Sequence, residues 1–171
     1  MNMAIKTIIT YPHPVLREKA KKITVFDQEL KSLVEDMADT MYQAPGVGLA
    51  ANQIGVARQV VVVDRSTVDN QRTYITLINP EITCGEGSVV DEEGCLSVIE
   101  CYAKVKRFRK IRVTAQDVEG NLLEFDAEER YARIIQHEVD HLLGTLFIDR
   151  LSSLKRALYK KKLKKILQEE E

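Results

Sequence analysis

The stretch His137-Glu138-Val139-Asp140-His141 decides how the rest of this chain is read. In an α-helix residues i and i+4 share a face, so His137 and His141 present two imidazoles to one ion. Glu138 lies about a third of a turn around the helix, where its carboxylate reaches a water on that ion without being a ligand. A single helical histidine is usually packed or solvated, but two of the chain's three histidines fall at this spacing. The pair and the intervening glutamate supply ligands and a general base for metal-assisted hydrolysis. The third histidine, His13, stands in a Tyr-Pro-His-Pro turn and is read as structural or surface.

A third ligand separates the HExxH classes. In the HExxHxxGxxH proteases a histidine follows three residues after the glycine; Gly144 is present here, but the required position is Phe147. A glutamate ligand downstream would have to come from Glu169 to Glu171, a chain end poorly suited to rigid geometry. A cysteine is the economical remaining option, since thiolate suits zinc or ferrous iron and leaves a position for water. The candidates are Cys84, Cys95 and Cys101.

Outward from the motif, its helix is expected to start at an Asp126 cap, with Glu128 and Glu129 in the first turn, and to end at Gly144. Residues 27–44 place Leu30, Leu33, Val34, Met37, Ala38 and Met41 at helical spacing, with Asp27 as N-cap and Pro45-Gly46 as the stop. Val60 to Val63 and Thr73 to Ile78 read as strands bounded by polar or proline turns. Ile111 to Ala115 and Leu122 to Phe125 flank turn residues and read as a hairpin. A short apolar piece, Leu146 to Ile148, precedes a C-terminal helix capped by Ser152 or Ser153 and reaching about Gln168. The order predicts one α+β fold, with mixed, mainly antiparallel β-sheets packed around a central HExxH helix and a C-terminal helix. Residues 1–150 are read as the catalytic domain, and 151–171 as a basic helix with an acidic tail packed on or extending from it.

The bulk numbers fit such a domain: 171 residues, 44% hydrophobic and 30% charged, with a net charge of -1. Near-neutrality gives no global electrostatic case for nucleic acid. No stretch approaches the ~20 apolar residues needed to span a bilayer, and Met1 to Thr10 lacks a signal-peptide run, so a cytoplasmic location without membrane contact is expected. Three cysteines are too few and too odd for a disulfide framework.

Two further segments gain meaning beside the helix. Glu93-Gly94-Cys95-Leu96-Ser97 sets a cysteine after a glycine that permits close backbone approach. Gly46-Val47-Gly48-Leu49-Ala50-Ala51-Asn52-Gln53 alone would be a glycine turn after a helix. In their order and separations the three segments resemble the signature motifs of the peptide deformylases. The resemblance runs from about Thr10 to Arg150 and includes Asn79-Pro80 and Gln136.

That resemblance implies removal of formyl from the N-terminal methionine of new polypeptides, with formyl-methionyl nascent peptides as substrates. It makes Cys95, His137 and His141 the ligands of one divalent metal, Fe(II) favoured over Zn(II). Glu138 becomes the general base, and the Gln53 amide and Leu96 backbone N–H become the oxyanion donors. Val47 and Gly48 would present backbone to an extended peptide, with Arg130, Arg133 and Ile134 near the methionine pocket.

Two departures stand out. Val98-Ile99-Glu100-Cys101 replaces a segment where the family usually has proline, so the loop beside the substrate is expected to run differently. Arg130 occupies a position where an apolar residue is expected. Its stem and that of Arg133 are expected to pack while both guanidinium groups reach solvent, giving a more polar rim with formyl-methionine activity retained. Between Leu151 and Leu167 seven Lys and Arg residues stand without an acidic one. A solvated face explains such a run; contact with ribosomal RNA is the functional alternative. The rival readings of the whole chain are an HExxH peptidase and a catalytically inactive, metal-binding, ribosome-associated homologue.

Overall fold

The computed structural model describes residues 4–66 and 72–170; Met1 to Met3 and Glu171, the outer ends of the two expected regions, lie outside it. Helix α1, Gln28–Gln43, begins where the Asp27 carboxylate accepts from the Leu30 backbone N–H, as its sequence requires. Strands β1 (Gly48–Ala50), β2 (Val60–Asp64) and β3 (Tyr74–Glu86) follow, and then a hairpin of β4 (Val89–Cys95) and β5 (Val98–Arg107). Strands β6 (Lys110–Gln116) and β7 (Leu122–Glu128) lead into α2 (Glu129–Leu142), the HExxH helix, and the chain closes with α3 (Ser153–Glu169). The five-stranded sheet has order β1-β2-β3-β6-β7 with every pair antiparallel; β4 and β5 form a separate two-stranded sheet.

The valine run of β2 is apolar throughout because the sheet is covered on both faces. Val61 and Val63 pack with Ala132, Ile135 and Leu142 of α2, whereas Val60 and Val62 pack with Leu30, Val34, Met37 and Met41 of α1. A further core joins β5 to α3: Val98, Cys101 and Val105 meet Phe147, Tyr159 and Leu163. The Ser152 hydroxyl caps α3 by accepting from Lys155 N–H. His13 caps a 3-10 turn, its Nδ1 accepting from Val15 N–H, which gives it the structural role its turn suggested.

Several boundaries differ from the sequence expectation. Asp126 does not cap α2: β7 stays paired with β6 as far as Lys110↔Glu128, and Asp126 accepts from Arg112 instead. Glu128 takes the N-cap position without a side-chain cap, so the completed ladder outweighs the local cap. Asn79-Pro80 does not close a strand but lies within β3, at a shift of register against β6. Asn79, at φ 51°, bridges to the backbone of Ile23 through both ends of its amide. The 98–101 stretch is not a loop but the start of β5, kinked at Glu100, which has φ 51°.

Candidate metal centre and cleft

The ligand cluster is assembled by two elements, β4 and α2, where the small sheet meets the helix. Cys95 ends β4, and His137 and His141 stand one turn apart on α2; their ligand atoms all lie within 4.8 Å of one another. Cys95 Sγ is 3.4 Å from His141 Nε2. His137 Nδ1 faces Glu93 Oε1 at 3.0 Å, which leaves its Nε2 for a metal and fixes the ring. One soft thiolate and two imidazoles in this small space suit zinc or ferrous iron, so the donor set fits the implied ion.

Electrostatics sharpen the picture. Burial holds His141 well below its ordinary pKa, keeping it in the neutral form a metal requires. Burial acts in the same direction on His137, but its hydrogen bonds with Cys95 and Glu93 overcome it and raise that ring well above the usual range. Burial would raise Glu93, yet Arg107 and His137 overcome this and hold it at about 2. Glu138 is pushed up to about 7, chiefly by burial. Its Oε2 and the Nδ1 of His141 are both buried without a hydrogen-bond partner among the described residues.

A cleft of ≈ 410 Å³ opens from this centre, and its walls include Val47, Gly48, Gln53, Leu96, Arg130 and Ile134. Arg133, His137 and Glu138 also line it. Gln53 is buried in a 3-10 turn after β1; its Oε1 accepts from Ala50 N–H at 3.0 Å, which turns Nε2 toward Ser97 Oγ at 3.1 Å and Cys95 Sγ at 3.7 Å. Gly94 lies under Tyr102, where a Cβ would come within 2.6 Å of the ring. Arg130 is exposed, as expected, but the Arg133 guanidinium is pinned by Asp91 at 3.1 Å and only 18% of its side chain is exposed. The Arg133 guanidinium is thus not free at the rim but held in an ion pair. A carboxylate on the neighbouring hairpin satisfies it.

Phe147, where the protease pattern needs a third histidine, is buried and stacks on His137 with ring centroids 6.0 Å apart. Sequence reading assigned no role to Arg107, Asp140 or Arg150, or to the Glu93 carboxylate. Arg107 is buried and donates to Glu93 from Nε and Nη2, both at 2.8 Å, and to Asp140 from Nη1 at 2.6 Å. The available signal was Asp140 inside the HExxH motif and Glu93 two residues before Cys95.

A buried carboxyl beside a cysteine-histidine-histidine cluster at the end of a peptide-sized cleft defines a metal-dependent hydrolase. The polypeptide deformylase family model matches residues 5–157. The peptide deformylase of Desulfotalea psychrophila is 57% identical over 164 residues, covering 95% of this chain and 97% of that protein. The one from Acidobacterium capsulatum is 47% identical over 96% of each chain. The crystal structure of a Legionella pneumophila peptide deformylase superimposes with a TM-score of 0.90 at 44% identity, covering 98% of both chains. The chain belongs to the polypeptide deformylase family. It is a metal-dependent enzyme that hydrolyses N-formyl amides of new polypeptides.

Proposed function

We propose that Cys95, His137 and His141 hold the catalytic ion and that Glu138 is the general acid and base for removing formyl from N-terminal formyl-methionine. The observation that carries this is the placement of the buried Glu138 carboxyl between that cluster and Gly48 at the end of the cleft. When bound, the divalent ion supplies Lewis acidity, which acidifies water and polarises the formyl oxygen. Glu138 takes a proton from the attacking water and returns one to the amine nitrogen as the C–N bond breaks and formate leaves; a pKa of about 7 suits both transfers. The Gln53 Nε2 and the Leu96 backbone N–H donate to the developing oxyanion. β1 is an edge strand, so Val47 and Gly48 offer an extended peptide main-chain pairing that tolerates many sequences. Ile134 and the stems of Arg130 and Arg133 border the methionine side chain, giving the more polar rim.

The resemblance favours Fe(II) as the native ion over Zn(II), and metal analysis after anaerobic purification tests this. Among the described residues no helix is long and apolar enough to cross a membrane, which accords with work in the cytoplasm on emerging chains. Residues 1–150 form the catalytic unit in this reading, and the 151–171 segment carries α3. Tyr159 and Leu163 seat α3 on the body, while Lys160, Lys161, Lys164 and Lys165 are exposed and suited to ribosomal RNA. Replacing those four lysines with glutamine should weaken ribosome binding and flatten its salt dependence; unchanged binding removes the RNA contact from the proposal.

Formate release from a formyl-methionyl peptide by the Fe(II)-loaded protein, with Glu138→Ala as control, tests the reaction itself. Loss of about 10²- to 10⁴-fold is expected in the variant. Full activity in Glu138→Ala would defeat the mechanism.

A further inference from the structure

A line of charged groups runs from the metal centre through the protein to the far side of α2. His137 Nδ1 meets Glu93 at 3.0 Å, and Glu93 is held by two donors of Arg107. The third donor of Arg107 meets Asp140 Oδ2 at 2.6 Å. Asp140 is then clasped from outside by Arg150, Nε to Oδ2 and Nη2 to Oδ1, each at 2.8 Å. The side chains of Arg107, Glu93 and Asp140 are at most 10% exposed, but that of Arg150 is 44% exposed. It lines a second cavity of ≈ 1020 Å³ with Lys106, Phe108, Val139 and Leu143.

The charge balance of this line gives Arg150 its importance. Glu93 and Asp140 share the one guanidinium of Arg107; Glu93 also meets the His137 ring, whereas beyond Arg107 the cation bonded to Asp140 is Arg150, so without Arg150 the Asp140 carboxylate is left to Arg107 alone. An undercompensated Asp140 would draw Arg107 toward itself and away from Glu93, because one guanidinium cannot fully satisfy both. Glu93 is the group that orients His137, and groups behind a metal ligand fix its direction and basicity.

We propose that Arg150 is a positioning residue for the metal centre, acting through Asp140, Arg107 and Glu93 to fix the His137 imidazole. The inference rests on the reading that Cys95, His137 and His141 hold the ion. Arg150 touches neither substrate nor metal, and its contribution is to keep Arg107 on Glu93.

The test uses full-length Co(II)-substituted protein, read by its visible d–d bands, its thiolate charge-transfer band and the rate of metal release to a chromophoric chelator. Arg150→Gln should release cobalt roughly tenfold faster, the lower end of the range for groups behind a metal ligand, and shift the d–d bands. Arg150→Lys, which keeps the charge, should recover most of the difference. Arg17→Gln is the structural control: it unpairs Asp149, the neighbour of Arg150, without touching the charged line, and should release metal as the parent does. Parent-like release and spectra in Arg150→Gln, or equally fast release in Arg17→Gln, would overturn the inference while leaving the ligand assignment standing. A parent protein whose cobalt form lacks the thiolate band would instead overturn the ligand assignment, and the inference with it.

Discussion

The carboxylate of Glu138 occupies the space that a side chain on Gly48 would need: a Cβ there would lie 2.8 Å from Oε1 and 2.9 Å from Cγ. Gly48→Ala must therefore displace this buried carboxyl from its place beside the cluster. The expected result is a fall in kcat of about 10²-fold, the usual effect of an ångström-scale misplacement, with bound metal and Tm close to the parent. Parallel measurement of formate release, metal content and thermal melting checks it, and unaltered kcat would show that this contact does not set the base.

Cys95 supplies the only thiolate of the cluster, and a hydroxyl in its place is a harder, less acidic donor. Cys95→Ser should lose most of its metal during dialysis and most of its activity while keeping the fold, since the two histidines stay on α2. Metal analysis beside circular dichroism decides this. In the parent, metal bound at 1,000 times its Kd adds about 4 kcal/mol, so chelation should lower Tm and Fe(II) should restore it.

The side-chain preference at the first substrate position bears on Arg130, the exposed cation of the cleft wall. With Arg133 held by Asp91 and Ile134 on the same wall, formyl-methionyl peptides should exceed formyl-glutamyl peptides in kcat/KM by about tenfold or more, the scale of an apolar pocket's discrimination. A preference for the acidic side chain would overturn the methionine assignment. Arg130→Leu should widen the gap in favour of methionine.

Asp149 links the 3-10 turn before α3 to Arg17, with two donors from that guanidinium and one from the Leu146 N–H. Burial acts to raise its pKa, but these bonds overcome it and bring it below the ordinary 3.8. A carboxylate depressed in the folded state contributes stability above its unfolded pKa and loses it as pH falls through the folded value. The urea midpoint should therefore fall below about pH 3.8 more steeply in the parent than in Asp149→Asn. Identical slopes would remove Asp149 from the acid transition.

Periodicity and caps made α1, α3, β2 and the β6–β7 hairpin legible, because each has a strong local pattern: Asp27 and Ser152 cap as written, and the valines of β2 announce burial. The hairpin of β4 and β5 was not legible as strands. Its exposed residues include Asp91, Glu92, Lys104 and Lys106, and its buried side is completed from distant sequence by Val15, Leu16, Phe147 and α3. Asp126 misled for a related reason, since its local capping tendency competes with a ladder in which it pairs with Arg112 of β6. The His137 and His141 pair and Glu138 were legible from motif spacing, and Cys95 and Gln53 from the resemblance of their segments to the family's motifs. The charged line behind it was not, because Arg107, Asp140 and Arg150 meet only through the tertiary fold.

The two-sided burial of β2 has a consequence for how the molecule finds its pairing. Alternation of apolar and polar residues normally penalises a one-residue slip by turning the wrong side to water. Val60 to Val63 carry no such information, since either parity presents valine to both helices. Fidelity of pairing must then come from polar pins at the ends of the run. Asp64 accepts from the Tyr42 hydroxyl at one end, and at the other the Gln59 carbonyl accepts from Asn79 N–H while Gln59 N–H donates to Lys21. These hydrogen bonds hold β2 against α1, β3 and the Lys21 segment, and the Asp64 N–H donating to the Val47 carbonyl carries the alignment on to the pairing of Gly48 with Val63, at the cleft edge.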